Sequence, residues 1–414
     1  MHHGLRIPEN RRVLYIDFNS FFASVEQQDN PSWAGKPVAV VSHHGPSGTV
    51  LAASYEAKAL GIRTGTKVRD ALLACPTLIL SYTHPERYKE VHHTFMTILR
   101  SIGGNEVYAK SIDEAAFFVP PNWRSLEQVY ELAHALKKAF KEQLGERITC
   151  SIGIAPNQSL AKLATDLQKP NGLVEITLEN TVEVLSRLEL TDFAGIAERN
   201  AFRLAEHRIL TPLDFYNANP SDLRNWFGIW GQYWWWRLHG FEPDLQEAGR
   251  YKSLSHQHVL KKWLTTLPAA EPIILKMAER LTHRLRRNHL QCRKVGVYLR
   301  LATARPLGAE QHFDAPVDSY PQLLGTIRAL LRTFPSQPAG SIRMITIWFD
   351  NLNEASSGLQ QDLFALRPGQ ESISVALENI RDRFRYHSVQ LGSTYAVAHT
   401  VAKEELGFGR IKDI

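Results

Sequence analysis

The chain has 414 residues, 44% hydrophobic and 10% aromatic, with no low-complexity stretch, which suits two to four folded domains and excludes a disordered polymer. Its three cysteines, Cys75, Cys150 and Cys292, are odd in number and far apart; with no long apolar run and no signal-peptide pattern, they argue against a disulfide scaffold, a cysteine zinc site or a membrane protein, and for a reducing cytoplasm. The net charge of +6 hides an asymmetry: Arg250 to Leu352 carries 16 Lys/Arg against 6 Asp/Glu, a balance of +10, while the rest carries 32 against 36, a balance of −4.

Taken in chain order, RVLYID (12–17) predicts a short apolar strand ending at Asp17, and FNSFFASVEQQ then switches to helical spacing. KPVAVVS (36–42) reads as a second buried strand, followed by a loop rich in His, Gly, Pro and Ser. VLAASYEAKALGI (50–62) begins as a strand and continues as a short helix, KVRDALLACP is a helix stopped by Pro76, and HPERYKEVHHTFMTILRSIG is an amphipathic helix. VYAKSIDEAAFFV is a strand–turn–strand hairpin that sets Asp113 and Glu114 side by side where alternation asks for an apolar residue. A long helix (125–145), the strand ITCSIGIA, the helix SLAKLATDLQ, a KPNG turn and the strand LVEI follow. This order is that of a split βαβ, ferredoxin-like sheet within an α/β (α+β) multidomain chain. Its first strand and hairpin are neighbours at the sheet centre, so Asp17 faces Asp113 and Glu114.

An adjacent acidic pair taken alone is ordinarily one side chain facing solvent and one tolerated oddity. Three carboxylates brought together, however, repel one another by roughly several kcal/mol unless cations neutralise them. Hard oxygen donors with open positions suit Mg²⁺, and two such ions about 4 Å apart support in-line phosphoryl displacement. The basic segment predicts a polyanion held without sequence preference, an ordinary solvated basic face being the alternative.

YIDFNSFFASVE, SYEAKALGI, KSIDEA and SIGIAPNQSLAKLATDLQKPNG together resemble, in order and spacing, the signature segments of the bacterial Y-family translesion DNA polymerases. The resemblance spans most of residues 12–352 and implies a right-hand architecture: palm (1–30 and 84–178), small fingers (31–83), helical thumb (179–246), α/β little finger (247–352) and a tail (353–414). It implies a low-fidelity, template-directed DNA polymerase acting by two-metal phosphoryl transfer. Asp17, Asp113 and Glu114 match the catalytic, metal-binding carboxylates, and Phe18 matches the position whose backbone carbonyl reaches a metal. Phe22 matches the aromatic steric gate beneath the nucleotide sugar, beside Phe21, while Tyr55, Lys58 and Lys169 match residues on the triphosphate. Two departures stand out: Lys58 where many members carry arginine, and Asn19 where an acidic residue is common.

Beyond the palm, LELTDFAGIAERNAFRLAEHRILTPLDF (188–215) resembles the thumb's helix-hairpin-helix, with Gly195 and Ala197 in the turn expected against DNA phosphates. WFGIWGQYWWWRLHG (226–240) is tryptophan-dense and reads as thumb core, stacking on bases being the alternative. RYKSLSHQHVL (250–260) resembles the strand that leads into the little finger, where Lys252, Ser253 and His256 are expected on the DNA backbone together with Arg286 and Arg287. The His pairs 43–44 and 92–93 read as surface residues. In LQQDLFALRPG (359–369), Gln360, Asp362, Leu363 and Phe364 resemble the bacterial motif that docks polymerases on the sliding clamp; a short amphipathic turn on its own domain is the alternative.

The expected partners are therefore primer-template DNA, a dNTP and the clamp, around a monomeric, cytoplasmic, nucleoid-associated enzyme. A catalytically inactive scaffold of a lesion-bypass complex and a nucleotide cyclase on a similar palm are the alternatives. The first would have lost the carboxylates, and the second would need neither the basic domain nor the helix-hairpin-helix.

Overall fold

The computed structural model describes residues 12–119, 125–242, 252–354 and 368–384, with single positions at 388, 389, 392 and 397. The chain forms two compact units, Met1–Ala248 with Glu405–Ile414, and Gly249–Glu404.

In chain order the first unit contains β1 (Val13–Phe18), α1 (Phe21–Asp29), β2 (Val38–Val41), β3 (Val50–Ala53), α2 (Tyr55–Ala59), α3 (Val68–Ala74), β4 (Ile79–Ser81) and α4 (Pro85–Gly103). It continues with β5 (Val107–Ala109), β6 (Glu114–Phe118), α5 (Leu126–Leu144), β7 (Cys150–Ala155), α6 (Gln158–Leu167) and β8 (Leu173–Glu175). Five short helices follow: α7 (Thr181–Leu185), α8 (Glu198–Glu206), α9 (Pro212–Asn217), α10 (Pro220–Phe227) and α11 (Ile229–Leu238). The main sheet has the order β5-β6-β1-β7-β8, which puts β1 at its centre between the hairpin strand β6 and β7.

Strand periodicity explains the layering. Leu14, Ile16 and Phe18 point into a core built with α4 and α5, while Val13 and Tyr15 face the opposite layer with α6 and the helices that follow. The long helix α5 starts cleanly because Ser125 and Gln128 form a capping box. A smaller sheet, β3-β2-β4, encloses its own apolar cluster with α2 and α3.

The second unit contains β9 (Ser253–Leu264), α12 (Leu267–Arg287), β10 (Leu290–Leu301), β11 (Leu307–Val317), α13 (Tyr320–Leu331), β12 (Ile342–Glu354) and α14 (Pro368–Phe384). Its antiparallel sheet runs β11-β10-β12-β9, so β9 is an edge strand, and its apolar side packs on α12 and α13. The tail segment that the sequence leaves without a role supplies α14. This helix docks on the unit through polar groups: Ser374 Oγ accepts from the Tyr320 amide at 3.3 Å, Tyr320 Oη donates to Glu378 at 2.5 Å, and Arg381 pairs with fully buried Glu279. Lys276 donates to the same Glu279 at 3.0 Å.

Candidate active site

Backbone pairing at the sheet centre assembles the acidic site. Asp17, on the Tyr15 face of β1, lies directly opposite Glu114 of β6 on one side and Ser151 of β7 on the other. Asp113 closes the hairpin turn, and its carbonyl accepts from the Phe18 amide at 3.0 Å. Tyr15 Oη donates to Glu114 Oε2 at 3.0 Å, and Ser111 Oγ donates to the Asp113 carboxylate. Strand pairing thus sets Asp17 across from Glu114, with Asp113 in the adjoining turn.

Two lysines meet them. Lys162, on α6, pairs with Asp17, with Glu114 at 2.9 Å and with Asp166 at 3.6 Å. Lys169 reaches Asp17 at 2.9 Å and Asp166 at 2.8 Å. Lys162 went unnoticed in the sequence, although its i,i+4 relation to Asp166 marks the helix face that carries it. Gly153 lets that helix come so near: a Cβ there would lie 1.9 Å from the Ala161 carbonyl.

The electrostatics follow from this geometry. Burial works to raise the Asp17 carboxyl, but Lys162 and Lys169 overcome it and hold Asp17 below its ordinary value. Asp113 has no such partner; burial, with Glu114 and Asp17 nearby, pushes it up to about 6 despite the Ser111 hydrogen bond. Burial opposes charge on Lys162, yet Asp17, Glu114 and Asp166 keep its pKa above the usual value.

The donors fit a hard divalent cation, because they are carboxylate oxygens and the gap between Asp17 and Glu114 already takes the Lys162 ammonium. Among the described residues no three acidic, His or Cys side chains yet converge as a ligand set.

Phe22 is partly buried and stacks on Tyr88, whereas Phe21 is 3% exposed and packs in the core against Phe18. The Phe18 ring is also core, edge-on to Phe95 and Phe140. Lys58 sits over the Tyr55 ring at 4.6 Å. His92 corrects a surface expectation: it shares the buried stripe of α4 with Tyr88, Phe95 and Leu99, and its Nδ1 lies 2.8 Å from the Ile112 carbonyl, bracing the turn before Asp113. The tryptophans divide. Trp234 joins Gly231 and Leu238 on the buried face of α11, while Trp230 is 55% exposed. Gly195 adopts φ +94°, a left-handed backbone that favours glycine, and Ala197 caps α8.

In the second unit, Lys252 is exposed just before edge strand β9, and Ser253, Ser255 and Gln257 are exposed along it. Alternation turns His256 to the other face, beneath α12, where its ring is hydrogen-bonded to the Met277 backbone; burial, with Arg280 and Arg284 close by, pushes its pKa down to about 4. The phosphate contact expected of His256 is therefore not offered by the exposed face. Arg286 is likewise held inside the unit, 2.8 Å from Asp318, whereas Arg287 is exposed. Gln360, Asp362, Leu363 and Phe364 lie outside the described residues.

A model of the impB/mucB/samB family matches residues 16–166, and the model of that family's C-terminal domain matches residues 251–363. DNA polymerase IV of Ectopseudomonas mendocina is 30% identical over 78% of this chain and 92% of its own length. DNA polymerase IV of Lactococcus lactis subsp. cremoris is 28% identical over 82% and 93%. A solved Y-family DNA polymerase chimera built on Dbh superposes with a TM-score of 0.72 at 26% identity, covering 82% of this chain and 98% of that one. Two domain models in sequence, relatives aligned over nearly their full length and a shared three-dimensional frame lead to one assignment: the chain belongs to the impB/mucB/samB family of bacterial Y-family DNA polymerases.

Proposed function

We infer that this protein is a template-directed DNA polymerase of low fidelity that extends primers across damaged template. The observation that carries this reading is the placement of Asp17 opposite Glu114, with Asp113 one residue before it, in a chain of this family. Asp17, Asp113, Glu114 and the Phe18 carbonyl would hold two magnesium ions. When bound, such ions supply positive charge to the attacking hydroxyl and the triphosphate.

The chain's own groups do the rest. Lys169, Lys58 and Tyr55 bind the triphosphate, and Lys169 stands near Asp17 in support of this role. Phe22 lies under the sugar, where its ring leaves no volume for a 2′-hydroxyl. The primer 3′-hydroxyl gives up its proton to solvent as its oxygen attacks the α-phosphorus, the bond from that phosphorus to the α,β-bridging oxygen breaks, and pyrophosphate leaves. The small three-stranded fingers close loosely over the new pair and so check its shape weakly.

Primer-template DNA is gripped through phosphates by the thumb turn at Gly195 and Ala197 and by Lys252, Ser253 and Arg287 of the little finger. The enzyme works as a monomer in the bacterial cytoplasm, at the nucleoid. Gln360, Asp362, Leu363 and Phe364 dock on the sliding clamp, two apolar side chains filling a pocket.

Primer extension with Mg²⁺ and one dNTP is the test. Asp113→Asn should abolish nucleotide addition while primer-template affinity survives, and wild-type extension by that variant would refute the metal assignment. Leu363→Ala with Phe364→Ala should leave single additions intact and remove stimulation by a loaded clamp.

A further inference from the structure

The KPNG turn that carries Lys169 is gripped from two sides. On the palm side stands Asn19, only 1% exposed at the end of β1. Its side-chain oxygen accepts from the Asn171 amide at 2.8 Å and from the Thr149 hydroxyl at 3.2 Å. Its amide nitrogen donates to Ser151 Oγ at 3.1 Å. Ser151 Oγ extends the grip, accepting from the Gly172 amide at 3.2 Å and donating to the Gln168 carbonyl at 3.3 Å. On the other side Lys137, reaching over from α5, donates to the Asn171 carbonyl at 2.6 Å, the Gly172 carbonyl at 2.8 Å and Asn171 Oδ1 at 3.1 Å.

We propose that Asn19 and Lys137 are positioning residues for the incoming triphosphate: they fix the turn that aims Lys169. The proposal rests on the reading of Lys169 as a triphosphate ligand.

The chemistry explains why residue 19 is an amide. A backbone N–H on one side of it demands an oxygen, which leaves the NH₂ for Ser151. The single Ser151 proton is already directed at Gln168, so the hydroxyl offers residue 19 only lone pairs. A carboxylate at position 19 would keep the Asn171 contact but set two oxygens against each other at Ser151, and would add a buried negative charge beside Asp17. The asparagine is thus a fitted part of the nucleotide site.

The test is single-nucleotide insertion by the full-length protein, with KM for the dNTP, kcat and primer-template Kd measured separately. Lys137→Met and Asn19→Asp should each raise KM about tenfold with Kd unchanged and kcat affected less, and Lys137→Arg should restore most of the loss. In a Lys169→Ala background, Lys137→Met should add less than about twofold, because the ammonium it aims is gone. Lys137 is only half-buried, so its variant serves even if Asn19→Asp unfolds; melting curves check both. Full additivity of Lys137→Met with Lys169→Ala, or a fall in kcat alone, overturns the proposal. If Lys169→Ala itself leaves KM unchanged, the triphosphate role of Lys169 fails instead, and the positioning role falls with it.

Discussion

The ring of Phe22 lies flat on the ring of Tyr88, centroids 4.3 Å apart and planes 19° from parallel. Tyr88 is fully buried, and its hydroxyl donates to Glu26 at 2.7 Å; Glu26 also takes Ser81 at 2.9 Å and His84 at 2.7 Å. The partly exposed ring thus rests on a platform fixed by hydrogen bonds from β4 and α4. Phe22→Ala should raise the ratio of rNTP to dNTP efficiency by about a hundredfold or more, an excluded-volume effect worth about 3 kcal/mol. Tyr88→Ala should raise it less, by letting the ring drop, and Tyr88→Phe less still. An unmoved ratio in Phe22→Ala would assign the sugar check to another residue.

Lys162 holds the place between Asp17 and Glu114 that a divalent ion would need. Lys162→Met should therefore destabilise the metal-free protein, by about 1–3 kcal/mol, since it leaves half-buried Glu114 without its cation and buried Asp17 with Lys169 alone. The same variant should bind Mn²⁺ at lower concentration, because no ammonium competes. Thermal melting in EDTA and titration of Mn²⁺ by electron paramagnetic resonance give both numbers. Weaker Mn²⁺ binding would instead make Lys162 an assembler of the site.

His256 titrates at about 4 in the fold and at 6.5 in its absence, because burial beneath α12 beside Arg280 and Arg284 disfavours its charged form. Below pH 6.5 the unfolded chain gains a proton that the folded chain refuses. The stability this group contributes is complete above pH 6.5 and is lost as pH falls through about 4, with a total on the order of 1–3 kcal/mol. Melting profiles of the wild type and His256→Leu should converge on acidification through this window. Profiles that stay parallel would place the acid sensitivity on other groups.

Arg381 binds α14 to the second unit through Glu279, and donates to Tyr320 Oη at 2.8 Å. Arg381→Met should cost about 3–5 kcal/mol, because Glu279 keeps its burial and loses a cation. Glu378→Gln, nearer the rim and 14% exposed, should cost much less. A chain ended at residue 354 should melt like Arg381→Met or below. If truncation leaves the melting curve untouched, α14 is an accessory and the unit is complete without it.

The division between sequence and structure is physical. Alternation and helical spacing are local, so the β1, β5–β6 and β7 strands, helices α4 to α6 and the KPNG turn were legible in the sequence, and with them Asp17, Asp113 and Glu114. Tertiary structure alone decided what crosses between elements. The face of α6 that meets the sheet brings Lys162 to the carboxylates, the approach of α5 puts Lys137 on the KPNG carbonyls, and α4 turns His92 inward. The edge position of β9 separates His256 from its exposed neighbours, and docking of the tail gives Arg381 its partner. Each of these contacts joins residues many positions apart, and neither partner's own neighbourhood in the chain carries a signal of the other. A periodic pattern says which face is buried; only the packed structure says against what.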